Sequence, residues 1–504
     1  MKQALISVSN KTGLIDFAQQ LIEKKYQIIS TGGTYKHLVE ASIPCKMIDE
    51  VTGFPEIFDG RVKTLHPKIH GGLLGIRDHE KHQIEAKQNN IEWIDMVVVN
   101  LYPFKETVNM KNKTDEDIIE QIDIGGPSML RSAAKNHRYV TVVSDVNDYD
   151  QVIKNMDEDG NTSYDLRREL AAKVYQLTAS YDAYIATYLT KENYPEKLTL
   201  TYEKKQELRY GENPHQSSCF YVSSQDIPYS ISSAIQLHGK ALSYNNIQDA
   251  EACLNMLKTF ETHTVVAVKH MNPCGIGTDD HLHKAWEKAY NSDPTSIFGG
   301  IVALSGIVDI HLAKQLGNIF LEVILAPDFT DEALEHLRQK KNIRLMKIKT
   351  GILEHQKEYK SVSGGLLIQD EDQELFDMLS FPTKAKPLEK DIEEMIFAYR
   401  VVKFVKSNAI VLTKDFQTIG IGAGQMNRVG AAKIAIEQAK EKAKDAYLAS
   451  DAFFPMPDTV ELAIKAGVKA IIQPGGSIKD QESIDLCDAH GIPMVFTAMR
   501  HFKH

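Results

Sequence analysis

Over the first 150 residues, short apolar runs alternate with amphipathic stretches, the pattern of an α/β unit whose strands are covered on both faces. Residues 4–8 predict a buried strand, followed by the turn residues Ser9, Asn10 and Lys11. Leu14, Phe17, Ala18, Leu21 and Ile22 then recur at i, i+3, i+4, i+7 and i+8, which is one face of a helix. Residues 26–29 predict the next strand, and Ser30-Thr31-Gly32-Gly33-Thr34 leads into a second helix. Two β-branched runs, 94–99 and 139–143, are of strand length. Leu166, Leu170, Val174, Leu177, Tyr181, Tyr184 and Ile185 mark a long helix with a packing or dimer-forming stripe. A polar connection follows at 191–197. Beyond it, runs at 265–268, 301–304, 365–368, 409–412, 470–472 and 494–496 predict further strands between helices. Among those helices is an Ala/Lys/Glu stretch at 432–449, whereas 336–344 reads as a solvated charged face. The organisation expected is an α/β domain at 1–150, a helical segment and linker at 151–198, and a second α/β region at 199–504 with room for two subdomains.

Composition narrows the function classes. Of 504 residues, 43% are hydrophobic and 25% charged, the balance of an ordinary globular chain. With 58 Lys+Arg against 68 Asp+Glu the net charge is −10, which excludes a nucleic-acid-coating surface and leaves room for a local anion pocket. No apolar run has the length of a membrane span, and the first residues turn polar too soon for a signal peptide. Five scattered cysteines, without CxxC spacing, predict reduced thiols, a cytoplasmic location and no disulfide or zinc framework.

Ligands of open α/β sheets sit beyond the carboxyl ends of the strands, so the strand-end loops carry the candidate chemistry. Thr31-Gly32-Gly33-Thr34 is either a capped structural turn or a phosphate cradle, with backbone N–H groups and hydroxyls at a helix N-terminus. DGRVKTLHPKIHGG at 59–72 places five basic or potentially basic side chains within ten residues, broken by Gly and Pro. In an acidic chain this reads as a basic loop, not a helix face, suited to an anion or nucleotide. Asn100 and Tyr102 stand at a strand tip in NLYPF, and QIDIGGPS opens a helix with Arg131 and Lys135 on one face.

In the second region, LRYGENPHQ at 208–216 is a charged, aromatic loop. VVAVKHMNPCG at 265–275 delivers Lys269 and His270 to a strand end, after which Asn-Pro-Cys-Gly is expected to turn away. An ammonium beside an imidazole favours its neutral, basic form; the plainer alternative is a strand-end histidine with its hydrogen bonds met. A zinc deaminase site is excluded, because Asn272 stands where Glu is needed and Gly277 where a second Cys is needed. The glycine run at 420–424 fails as a dinucleotide fingerprint because Gln425 replaces the third small residue. That argues against a nicotinamide-dependent dehydrogenase. Those glycines are expected to allow close backbone approach to a ligand, with Arg428 nearby. Phe453 and Phe454 read as core.

Taken together, STGGT, GRVKTLHPKIHGG, NLYPF, QIDIGGPSMLRSAAKNH, LRYGENPHQ, VKHMNPCG, SIFGG, GIGAGQMNR and SDAFFP resemble, in order, the bifunctional family that joins AICAR formyltransferase to IMP cyclohydrolase. The likeness spans residue 6 to the terminal RHFKH. It implies an N-terminal methylglyoxal-synthase-like domain followed by two cytidine-deaminase-like α/β subdomains. It also implies a homodimer with formyl-transfer sites shared between subunits, acting on small-molecule substrates and on neither nucleic acid nor membrane. The formyl donor would be 10-formyltetrahydrofolate as a co-substrate, with no metal and no tightly bound cofactor. By the same resemblance His270 is the base and Lys269 the oxyanion partner, while Arg209, Tyr210, Gly299, Glu322, Asn408 and Arg428 hold AICAR. Asp458, Ser477, Ile478 and Arg500 would line the folate pocket. For ring closure, Ser9, Asn10, Lys11, Thr31, Gly32, Gly33 and Thr34 take phosphate and ribose, beside Arg61, Lys63 and Thr64. Asn100, Tyr102, Asp123 and Ile124 flank the base, Lys135 transfers the proton, and Lys63 and Tyr102 polarise the formyl oxygen. A binding scaffold without turnover is the rival class; it would have no use for a base beside a cation at a strand tip.

Overall fold

The apolar runs of the first 150 residues form one parallel sheet in the computed structural model, which describes residues 2–108, 110, 112–223, 225–352 and 356–504. The chain divides into two units, Met1–Thr201 and Tyr202–His504. In the first, β1 (Lys2–Val8), β2 (Tyr26–Ser30), β3 (Cys45–Met47), β4 (Met96–Asn100) and β5 (Thr141–Val143) lie in the order β3-β2-β1-β4-β5. The chain runs outward from β1 to β3 and then returns to the other side of β1. Loops leaving β1 and β4 therefore diverge, and a crevice opens between them.

The helix Tyr164–Leu189 packs on the helix Gly125–Lys135 and on β5, burying Leu166, Leu170 and Val174 in the sheet's core. Further along, its Tyr181 packs with Phe104 and Ile118. The helix thus belongs to the first unit, which ends at Thr201. The basic segment 59–72 is not loop throughout. Pro67 takes the first position of the helix Pro67–Leu74, where its missing N–H costs nothing, so Lys68 and His70 are helical.

The second unit contains a hairpin, β6 (Glu203–Leu208) with β7 (Ser218–Val222), and a six-stranded sheet. That sheet comprises β8 (Ile235–His238), β9 (Thr264–Lys269), β10 (Asn272–Thr278), β11 (Ile301–Leu304), β12 (Val323–Ala326) and β13 (Arg344–Lys347), in the order β10-β9-β11-β12-β13-β8. After an exposed hairpin, β14 (Lys357–Val362) with β15 (Gly365–Asp370), comes a five-stranded sheet. Its strands are β16 (Ile410–Thr413), β17 (Thr418–Gly422), β18 (Tyr447–Ser450), β19 (Ala470–Gln473) and β20 (Met494–Phe496), ordered β17-β16-β18-β19-β20.

One series of elements occurs twice here. A helix (Tyr244–Leu257 or Glu389–Val402) precedes an antiparallel hairpin (β9–β10 or β16–β17), then a second helix (Leu282–Ser292 or Arg428–Ala439), then three parallel strands alternating with helices. The two leading helices and both sheets share one core, including Leu254, Met256, Val266, Met395, Tyr399 and Val411. The recurring Gly-Ile-Gly follows from this packing. A Cβ on Gly275 or Gly277 would lie 2.2 Å from Ala289 O or 2.5 Å from Ala285 O; on Gly420 or Gly422 it would lie 2.0 Å from Ala435 O or 1.9 Å from Ala431 O. Gly420 and Gly422 therefore make room for a helix backbone, not for a ligand as the sequence reading expected.

Two further expectations are corrected. Asn272-Pro273-Cys274-Gly275 does not turn away but forms the returning strand β10; the turn is His270-Met271, with both φ positive (55° and 62°), as in a type I′ hairpin. The helix expected over 432–449 ends at Ala439, because positive φ at Lys440 and Asp445 redirects the chain into buried β18. Phe454 is core, whereas Phe453 is 37% exposed. Among the described residues, no helix is long and apolar enough to cross a membrane.

Candidate active sites

In the first unit, the loops after β1, β2 and β4 and the start of the helix Gly125–Lys135 surround a cavity of about 600 Å³. Its walls are tied together by polar side chains. Asn100 Oδ1 accepts hydrogen bonds from Ser9 N (2.7 Å), Ser9 Oγ (2.8 Å) and Asn10 N (2.9 Å), while its Nδ2 donates to Asn10 O. Thr34 Oγ1 accepts from Val8 N and donates to Val8 O, and Thr31 Oγ1 bonds Ser7 Oγ at 2.8 Å. These three residues line the cavity, yet their polar groups are occupied in fixing β1 against its neighbours.

Two of the cationic side chains in the lining, Lys11 and Lys63, stand together. Lys63 Nζ lies 3.7 Å from where a Cβ of Gly32 would stand, and Lys11 Nζ lies 4.0 Å from that of Gly33. Two ammonium groups thus converge on the first turn of the helix Gly32–Glu40, whose leading N–H groups have no intrahelical acceptor. Thr64, Tyr102 and Ile124 also line it, as do the carboxylates of Asp59 and Glu120. Asp123 closes the far side. Burial raises its carboxyl above the ordinary range, opposed by the Gly126 N–H (2.8 Å), the Lys63 charge and the Tyr102 amide. Tyr181 positions Asp123 by accepting from its N–H at 2.7 Å and donating to Gln121 O.

The structure does not bring every expected residue to this cavity. Asn10 and Gly32 lie beside the lining without forming it. Arg61 lines it, but its guanidinium is paired with Glu120. Lys135 is exposed and ends the helix that lines the wall as far as Met129, about 9 Å beyond that residue along the axis. Sequence reasoning missed Glu120 and Tyr181; Tyr181 was legible only as one member of a packing stripe.

In the second unit the β9–β10 turn holds Lys269 and His270 at the sheet edge. Lys269 Nζ donates to Phe298 O at 2.9 Å, and the His270 ring is exposed. Asp249, on the helix Tyr244–Leu257, accepts from His270 N (3.4 Å) and Met271 N (2.6 Å). Its neighbour Asn246 donates to Glu322 Oε2 at 2.7 Å, and Arg344 NH1 stands 3.4 Å from the same oxygen. Gly299 follows Phe298, has φ 73° and donates to Phe320 O. Lys269, His270, Gly299 and Glu322 are thereby gathered around one hairpin end. Arg344, expected on a solvated face, is instead the partner of Glu322; neither it nor Asp249 carried a sequence signal.

Arg209 and Tyr210 follow β6, with Arg209 Cζ 5.5 Å from the Tyr210 ring centroid. Asp458, Ser477, Ile478 and Arg500 lie beyond the carboxyl ends of the parallel strands β18, β19 and β20, where ligands of such sheets bind. Arg428 is different. It is buried, its guanidinium pairs with buried Asp451, and it donates to Ser450 Oγ (2.9 Å) and Asn408 Oδ1 (2.8 Å). Asn408 Nδ2 is in turn bonded to Gln425 O. Arg428 and Asn408 thus brace one another and the buried Asp451. No group of three or more potential metal ligands occurs among the described residues.

Comparison with known proteins gives two family matches: AICARFT/IMPCHase bienzyme over residues 133–438 and MGS-like domain over 13–128. The bifunctional purine biosynthesis protein PurH of Anoxybacillus flavithermus is 58% identical over the full length of both chains. Those of Halalkalibacterium halodurans and Bacillus subtilis are 57% and 56% identical, also over both full lengths. Among solved structures, that of ForH is 33% identical over 37% of this chain and 95% of its own, with a TM-score of 0.34.

Proposed function

Since the chain belongs to the AICARFT/IMPCHase bienzyme family, we propose that its two units divide the two chemistries, formyl transfer in the second and ring closure in the first. It is a bifunctional enzyme of purine biosynthesis, an AICAR formyltransferase and IMP cyclohydrolase. In the first reaction the 5-amino group of AICAR attacks the formyl carbon of 10-formyltetrahydrofolate, giving formyl-AICAR and tetrahydrofolate. An arylamine is a weak nucleophile, so His270 removes its proton during attack, while Lys269 retains donors beyond its bond to Phe298 O for the developing oxyanion. The observation that carries this reading is the exposed imidazole set on a hairpin turn that a carboxylate holds by both N–H groups.

Arg209, Tyr210, Gly299 and Glu322 flank the ribotide in this reading, and the loops bearing Asp458, Ser477, Ile478 and Arg500 receive the folate. Both substrates come and go, the active form is a homodimer, and the setting is the cytoplasm. In ring closure the carboxamide nitrogen attacks the formyl carbon of formyl-AICAR, and water leaves to give IMP. Lys11 and the N–H groups of the Gly32–Gly33 turn take the phosphate. Tyr102 and Lys63 polarise the formyl oxygen, and Asp123, its carboxyl raised by burial, handles the proton. Holding the two reacting groups in contact supplies up to about 7–11 kcal/mol in favourable model systems.

The test is a pair of variants of the full chain, assayed for tetrahydrofolate formation from AICAR and for closure of supplied formyl-AICAR. His270→Ala is expected to abolish transfer and spare closure; Lys63→Ala is expected to do the reverse. Loss of both activities in either variant contradicts two separate sites.

A further inference from the structure

The second unit contains its own internal control for the His270 turn. In the first half Lys269 ends β9, His270 and Met271 make the turn, and Lys269 Nζ reaches Phe298 O three residues before β11. In the second half Lys414 follows β16, and Asp415 and Phe416 make the turn with φ 56° and 55°. Lys414 Nζ there reaches Lys444 O, three residues before β18. In both halves a carboxylate on the leading helix holds the second turn N–H from behind, and in the first half it takes the first turn N–H as well. Asp249 is the sixth residue of the helix Tyr244–Leu257 and accepts from His270 N and Met271 N; Glu394 is the sixth residue of the helix Glu389–Val402 and accepts from Phe416 N at 2.7 Å. Position for position, His270 is replaced by Asp415.

Left-handed backbone at two successive non-glycine residues is costly and persists only where surroundings impose it. From this we infer that Asp249 is the positioning residue of formyl transfer: its two oxygens, one on each turn N–H, hold the left-handed pair and thereby aim the imidazole. The clamp is a scaffold feature of the repeated unit, recruited in the half whose turn bears a histidine. This rests on the reading of His270 as the base. It assigns Asp249 no contact with substrate.

The experiment uses the full-length enzyme with AICAR and 10-formyltetrahydrofolate. Asp249→Asn leaves one turn N–H without an acceptor oxygen. It is expected to lower kcat for transfer roughly 10–100-fold, the scale of a small misplacement of a reacting group, with KM for AICAR within about twofold. Adding Met271→Gly should restore much of kcat, because glycine adopts the second left-handed position unaided. Glu394→Gln, the same change in the other half, should lower the thermal midpoint and leave kcat in place. Parental kcat in Asp249→Asn, no recovery with Met271→Gly, or a parallel kcat loss in Glu394→Gln each overturns the inference. If Asp249→Asn does not fold, the double variant decides: folded and active supports it, folded and inactive refutes it. His270→Ala is run beside them. Should that variant retain transfer, the assignment of the base fails; should it lose transfer while Asp249→Asn does not, only the positioning role fails.

Discussion

Replacing Arg428 by Met separates a brace from a ligand contact. The side chains of Arg428 and Asp451 are 5% and 0% exposed, so removing the guanidinium leaves a carboxylate without its counter-charge inside the second unit. Asp451 keeps the Ser407 hydroxyl on its other oxygen, which satisfies a hydrogen bond but not the charge. Breaking such a pair from one side costs about 3–5 kcal/mol. At roughly 2 °C per kcal/mol for a large unit, the thermal midpoint should fall by roughly 6–10 °C. The assay pairs thermal unfolding with formyl-transfer kinetics at low temperature, where the variant remains folded; KM for AICAR should stay within about threefold. Changing both partners, Arg428→Met with Asp451→Leu, should recover most of the lost midpoint, since the penalty lies in the orphaned charge. An unchanged midpoint with a KM raised more than about tenfold would refute the brace and return Arg428 to the nucleotide.

The repeated glycines and one buried carboxylate give two further expectations. Gly422→Ala puts a methyl 1.9 Å from Ala431 O and must push a helix off its strand, costing upwards of about 1–3 kcal/mol, whereas Gly365→Ala, meeting only Val362 Cγ2 at 3.4 Å, should be nearly silent in thermal unfolding. Burial works against the charge of Asp391, but Lys469 and Tyr447, each at 2.7 Å, hold its carboxyl below the ordinary 3.8. A lowered acid stabilises the fold fully above its unfolded value and loses that contribution as pH falls through its folded one. The midpoint gap between the parent chain and Asp391→Asn should therefore be constant near neutrality and shrink in acid below 3.8; a gap independent of pH down to full protonation would contradict the assignment.

Where burial is nearly complete, composition alone revealed the strands. Residues 94–99, 265–268 and 470–472 sit in or against β4, β9 and β19 because apolar β-branched runs of that length have no other stable place. The hairpin return at β10 was hidden. Asn-Pro-Cys-Gly has turn composition, and the true turn, His-Met, lacks the Gly, Asn or Asp that mark a two-residue hairpin. The position of β18 was hidden by local propensity: Ala, Lys and Glu continue a helical pattern that Lys440 and Asp445 interrupt with positive φ. The duplication was present in the letters, as Gly-Ile-Gly at 275–277 and again at 420–422, but its meaning required seeing the helix carbonyls that each glycine faces.

The sequence motifs also mixed two kinds of residue that only geometry separates. Asn100, Thr34, Asn408 and Arg428 have the side chains that bind nucleotides, and each has spent them on its own backbone or on a buried partner. A ligand could win those groups only by replacing bonds already made inside the protein, at a cost of about 1–3 kcal/mol for each buried group left unpaired. Lys11, Lys63, Tyr102 and the leading N–H groups of the helix Gly32–Glu40 line or adjoin the cavity and carry no comparable debt; even the Lys63–Glu56 pair, at 3.8 Å, is loose. In the second unit the same distinction separates the exposed His270 ring from the Arg428–Asp451 pair. Residues of the first kind determine where the loops stand, and those of the second are free to meet substrate. Substitutions should accordingly divide into those that move the thermal midpoint and those that move kcat, with Asp249 the case that does both.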